Sequence, residues 1–106
     1  MSDFEPLDPV EVLAMPRTKR ASAMIRLARV EGGWTWAVDC HRHHGDMLGL
    51  GEPLGRWPAP SRITPTRQEA IAAGIARIRR AIDEPDINAW LESLSSAQPD
   101  LFGEAA

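Results

Sequence analysis

The sequence predicts an α+β domain: a small antiparallel sheet of two or three strands packed against one long helix, followed by a short second helix. Two observations carry that prediction. Two runs of alternating residues flank Glu31-Gly32-Gly33, and isoleucines at positions 71, 75, 78 and 82 recur at helical spacing. A chain of 106 residues with 43% hydrophobic and 25% charged residues is the size and composition of one globular domain, which argues against wholesale disorder and against a second autonomous unit.

Taken in order, residues 1–16 are expected to form a short arm. Asp8 can cap, Pro9 suits a first helical position, and Val10, Val12, Leu13 and Met15 precede Pro16, which together predict a single helical turn. The single domain is expected over 17–96. Arg17-Thr18-Lys19-Arg20 is a basic connector. Met24, Arg26, Ala28 and Val30 then alternate with Ile25, Leu27 and Arg29. Past the glycines, Trp34, Trp36, Val38 and Cys40 share one face, opposite Thr35, Ala37, Asp39, His41 and His43. This is a β-hairpin pattern, with the tryptophan face expected inward.

Residues 45–62 are dense in glycine and proline, which predicts a long loop with a short third strand near Arg62-Ile63. Thr66-Arg67-Gln68-Glu69 is a capping box opening the long helix, which runs to Ala81 or Ile82. Asp83-Glu84-Pro85-Asp86 breaks it. Ile87, Trp90, Leu91 and Leu94 then give a short amphipathic helix over 86–95, and residues 97–106 are expected to be a flexible C-terminal docking tail.

The formal net charge of −3 hides an asymmetry. Residues 1–16 carry Asp3, Glu5, Asp8 and Glu11 with no base, and 83–106 hold six acids and no base, whereas all twelve Lys and Arg lie in 17–82. A basic body between acidic ends suits a polyanion, or lets the ends fold back and screen it. Arg17, Lys19, Arg20, Arg77, Arg79 and Arg80, with Arg26 and Arg29, are the candidates for sequence-independent DNA contact. No stretch is apolar enough for a transmembrane helix, Met1–Glu5 does not resemble a secretory signal, and Cys40 has no disulfide partner, so a cytoplasmic location and no membrane association are expected.

All three histidines fall within His41–His44, and on a strand Asp39, His41 and His43 share a face, the way two imidazoles are placed on one metal ion. No His or Cys elsewhere completes a shell, which leaves Asp39, Asp46 or Glu52 as third ligands, and no metal or other cofactor is expected. Asp39, His41 and His43 are the residues that would support a metal-dependent activity. Catalysis by Cys40 with His41 fails because strand neighbours point to opposite faces. No phosphate-binding loop and no paired catalytic carboxylates stand out, and the chain is not expected to be an enzyme.

The sharpest motif is Gln98-Pro99-Asp100-Leu101-Phe102. It resembles the peptide by which bacterial replication and repair proteins dock on the β sliding clamp. Gln98, Asp100, Leu101 and Phe102 match that pattern, and Pro99 departs from its commoner leucine. The resemblance implies a non-enzymatic accessory or adaptor protein of bacterial DNA replication or repair, with Gln98 hydrogen-bonding at the pocket mouth. Leu101 and Phe102 would contribute roughly 1.5–3 kcal/mol each before ordering costs. A hairpin, a glycine-rich connection and Thr66-Arg67-Gln68-Glu69-Ala70 opening a helix are similar to HicB-type antitoxin domains. That similarity implies the alternative, an antitoxin-like or regulatory module binding a partner protein or DNA through its sheet.

Overall fold

The computed structural model describes residues 7–45 and 48–97. The strands are β1 (Glu11–Ala14), β2 (Ala21–Val30), β3 (Gly33–Arg42), β4 (Gly49–Gly51) and β5 (Ile63–Thr64), and the helices are α1 (Arg67–Ala81) and α2 (Pro85–Ala97). They form a five-stranded sheet of order β1-β2-β3-β4, with β5 also on β3, and every pairing is antiparallel. The outer edge of β3 is shared: β4 takes Asp39–His41 and β5 takes Trp34–Thr35.

The central hairpin is the one the alternation predicts. Ile25 faces Val38 and Leu27 faces Trp36, closing at Val30 and Gly33 around a two-residue turn. Gly32 has φ +93° there, a left-handed conformation that costs glycine little. A side chain at Gly33 would collide with the Thr64 carbonyl, so this second glycine is what lets β5 approach.

Both helices cover one face of the sheet. Ile71, Ile75, Ile78 and Ile82 of the α1 stripe and its C-cap meet Ala23, Ile25, Leu27, Trp36, Val38 and Cys40, while α2 adds Ile87 and Leu91. Each such large side chain removed from water contributes about 1.5–3 kcal/mol. Thr66 caps α1 by accepting from the Glu69 N–H at 3.1 Å, and the Glu69 carboxylate returns to the Thr66 hydroxyl at 3.1 Å. On the opposite face Leu54 packs on the small side chains of Ala28 and Ala37, with Leu7 beside it, which covers only the hairpin-turn end.

Three expectations need correction. The sheet has five strands, not two or three. The helices are of similar length, 15 and 13 residues, so there is no single long helix with a short follower. The segment expected to be a helical turn is β1. Between Pro9 and Pro16 a helix closes too few hydrogen bonds to stand, whereas the open edge of β2 offers a ladder. Val10 N–H donates to the Leu27 carbonyl at 2.7 Å and Met15 N–H to the Ala23 carbonyl at 3.0 Å, extending that ladder beyond both ends of the strand. Strand β4 was hidden inside the glycine-rich stretch, where its one core-packed residue is Leu50, opposite Cys40. Among the described residues no helix is long and apolar enough to cross a membrane.

Candidate functional site

Strand alternation places Ser22, Met24 and Arg26 of β2 beside Asp39 and His41 of β3 on the face away from the helices. Leu54 covers the far end of that face, and the near end stays open as a concavity of about 510 Å³ that also reaches Ala14 and Arg17. Arg26 Nη2 lies 3.0 Å from Asp39 Oδ2, both side chains being about one-quarter exposed, and Arg26 also donates to the Glu52 carbonyl. The open face therefore mixes the apolar side chains of Ala14, Met15 and Met24 with a central Arg26–Asp39 ion pair, and Arg26 Nε is buried there with no hydrogen-bond partner.

His41 and His43 sit at one end of this face, whereas His44 lies 3.5 Å from Glu84. The His41 and His43 rings stack with centroids 6.4 Å apart and planes 16° from parallel. His43 Nε2 shares a hydrogen bond of 3.1 Å with Ser22 Oγ, which ties the end of β3 back to β2. Asp39, the third residue of the predicted metal constellation, is committed to Arg26. Among the described residues no group of three or more His, Cys, Asp or Glu side chains gathers to hold a metal ion. Cys40 points to the other face, where it is buried beneath the helices, and burial pushes its thiol pKa up.

The basic candidates meet only in part. Thr18 Oγ1 donates to Asp86 Oδ2 at 2.7 Å, so the 17–20 connector lies at the α1–α2 junction, the same end as Arg79 and Arg80. Arg17, Lys19, Arg79 and Arg80 are exposed and make no ion pair among the described residues. Arg20 is 3.4 Å from Glu84, and Arg77 donates to Glu52 at 3.0 Å, so these two serve the fold. Asp83 and Asp86 occupy the same junction and interrupt any continuous cationic surface.

Two carboxylates have structural roles that the sequence did not assign them: Glu52, expected only as a possible metal ligand, and Glu84. Glu52 receives both guanidinium nitrogens of Arg62 at 2.8 Å, Arg77 at 3.0 Å and the Val38 N–H at 3.2 Å. Arg62 lies over the Trp36 ring at 4.0 Å. Burial raises the Glu52 carboxyl pKa, but the Arg62, Val38 and Arg77 donors outweigh it and hold the group below its ordinary value. Glu84 is fully buried and accepts from the N–H groups of Asp86 at 2.7 Å and Ile87 at 3.2 Å, just before Pro85 opens α2. A lone acid in a Gly/Pro-rich loop carries no sequence signal for such a role. An acid directly before a first-turn proline carries a weak one.

Gln98, Asp100, Leu101 and Phe102 lie outside the described residues, and α2 ends at Ala97 immediately before them. Comparison of the chain with protein-family models, curated proteins and solved structures gives no match.

Proposed function

We propose that the chain is a non-enzymatic accessory module of bacterial DNA replication or repair that docks on the β sliding clamp through Gln98, Asp100, Leu101 and Phe102. The observation that carries this is the motif itself, beginning one residue after the end of α2. Two adjacent large apolar side chains within five residues of the last helix suit a tethered docking peptide. The buried or ion-paired carboxylates Glu11, Glu52 and Glu84 already have structural partners, and Cys40 is buried. A cytoplasmic location belongs to the same reading, and Arg17, Lys19, Arg79 and Arg80 would be the residues facing DNA.

The test is titration of fluorescently labelled β clamp with the wild-type protein and with Leu101→Ala/Phe102→Ala. The expected result is micromolar binding, on the order of −8 kcal/mol, that weakens at least tenfold in the double variant. Clamp binding that ignores the double substitution overturns the reading.

The second reading, an antitoxin-like or regulatory module, is favoured by one observation, the open concavity over Ser22, Met24, Arg26 and Asp39. It predicts a stable dimer or complex whose size in sedimentation does not change when Leu101 and Phe102 are replaced.

A further inference from the structure

Trp57 is 72% exposed, the most exposed large hydrophobic side chain among the described residues. It borders a hollow of about 630 Å³ whose other apolar walls are Leu7, Val30, Pro58 and Ile63. An apolar hollow rimmed by a solvated indole gains by being covered.

The means to cover it is tethered at its own edge. Leu7, the first described residue, is fixed twice: its N–H donates to the Leu54 carbonyl at 3.0 Å, and its side chain packs beside Leu54, Ala28 and Ala37. The chain therefore enters the fold on the wall of the hollow, with residues 1–6 leading into that point. Three residues of extended chain reach about 10 Å, which brings Phe4 within range of the Trp57 side of the hollow. Phe4 is the one aromatic side chain of the segment, and it is flanked by Asp3 and Glu5 with no base. On the rim Arg29 is exposed, with its guanidinium carbon 5.2 Å over the Trp34 ring, which leaves its N–H edges for a carboxylate. Glu31 stands on the same rim and offsets part of that attraction, so the apolar walls carry most of the contact. A tether this short holds the segment at an effective concentration in the millimolar range, enough to populate a contact too weak to form between separate molecules.

We propose that residues 1–6 fold back over this hollow, with the Phe4 ring against the Trp57 indole and the flanking acids facing Arg29. The hollow is then a docking surface for the chain's own N-terminal segment. The contact does not depend on the 98–102 motif.

The experiment is tryptophan emission, acrylamide quenching and thermal melting of the full chain and of Phe4→Ala, Trp57→Ala and the double variant. An indole packed on another ring is drier than a solvated one, so Phe4→Ala is expected to shift the emission to the red and to increase quenching. In the Trp57→Ala background Phe4→Ala should change neither, which assigns the signal to that ring among the four tryptophans. Phe4→Ala should lower the melting temperature by about 2–5 °C, and by less when Trp57 is already replaced. A nuclear Overhauser contact between the Phe4 and Trp57 rings is expected in the wild type. Leu101→Ala/Phe102→Ala should leave all of these readings as in wild type, so failure of clamp docking and failure of this contact are distinguishable. Emission and quenching that Phe4→Ala leaves unchanged, or a change that persists without Trp57, overturn the proposal. A red shift produced by Leu101→Ala/Phe102→Ala and not by Phe4→Ala makes the C-terminal tail the occupant and overturns it. A contact that disappears on dilution belongs to a second molecule and overturns it too.

Discussion

Glu84 shows how one residue fixes a junction. It is the only fully buried charged side chain among the described residues, and it anchors three segments. It accepts the Asp86 and Ile87 N–H groups at the start of α2, and it faces Arg20 at 3.4 Å and His44 at 3.5 Å. Burial alone would push its pKa up, but the Ile87 and Asp86 N–H donors, with His44 and Arg20, outweigh it and hold the carboxyl below its ordinary value. Glu84→Ala leaves two helix-start donors without an acceptor and should lower stability by about 1–3 kcal/mol in urea titration. Glu84→Gln keeps an acceptor oxygen and should cost less; equal losses would place the effect in the charge and not in the cap. Cys40 gives a second residue-scale prediction. Its side chain is 1% exposed and burial raises its pKa, so a thiol reagent should leave it unmodified in the native protein and react fully in denaturant. Fast reaction in native buffer would contradict the packing of β3 under α1.

At the scale of elements, α1 comes close to the sheet at Gly74. A Cβ built there would lie 3.0 Å from Ile25 Cγ2 and 3.1 Å from its Cδ1. Alanine gains about 1 kcal/mol of helix propensity over glycine, but Ile25 is wholly buried, and its β-branched side chain is stiff at χ1. Overpacking of this kind costs about 1–3 kcal/mol, so Gly74→Ala should be a net loss of about 1 kcal/mol by thermal melting. A stabilised variant would mean that α1 can lift from β2. What was legible in the sequence divides along the same lines. The β2–β3 hairpin, the Thr66 cap and the isoleucine stripe are local, and their patterns fall within a few residues of each other. Strands β1 and β4 are set by the unpaired edges of β2 and β3, partners at the far side of a turn or loop, and neither four residues nor three carry a period of their own. Asp8-Pro9 before Val10 reads as a helix start because that signal is also local. Of the candidate sites, Asp39 and His41 do share a face, as the alternation requires. The Arg26–Asp39 pair lies within the same hairpin, whereas the arginines of Glu52 come from segments whose meeting no spacing encodes.

Across the whole molecule, three carboxylates tie together segments that lie far apart in sequence. Glu11 holds Arg67 at 2.5 and 2.6 Å, which links the edge strand β1 to the first turn of α1. Glu52 links β3, the 52–62 loop and α1 through Val38, Arg62 and Arg77. Glu84 links the 17–20 connector to α2. All three have folded-state pKa values below the ordinary 4.5, Glu11 because the Arg67 hydrogen bond outweighs its burial, and Glu52 and Glu84 because their donors overcome burial. The sign of the linkage follows. Above 4.5 these groups are ionised in both folded and unfolded chains, and their stabilisation is fully present. As pH falls from 4.5 through the depressed folded values, the unfolded chain takes up protons first and stability is progressively lost. The Glu11–Arg67 pair is about one-third exposed and screened by solvent, so its share is small, and the loss should come chiefly from Glu52 and Glu84. The expected outcome is a urea midpoint that is level near neutral pH and falls steadily as pH drops below 4.5. Glu52→Gln should begin less stable than wild type at pH 7, by about 1–3 kcal/mol for the ion pairs it breaks, and should lose less on acidification. A midpoint that rises as pH falls, or a Glu52→Gln profile parallel to wild type, would show that these carboxylates do not hold the layers together.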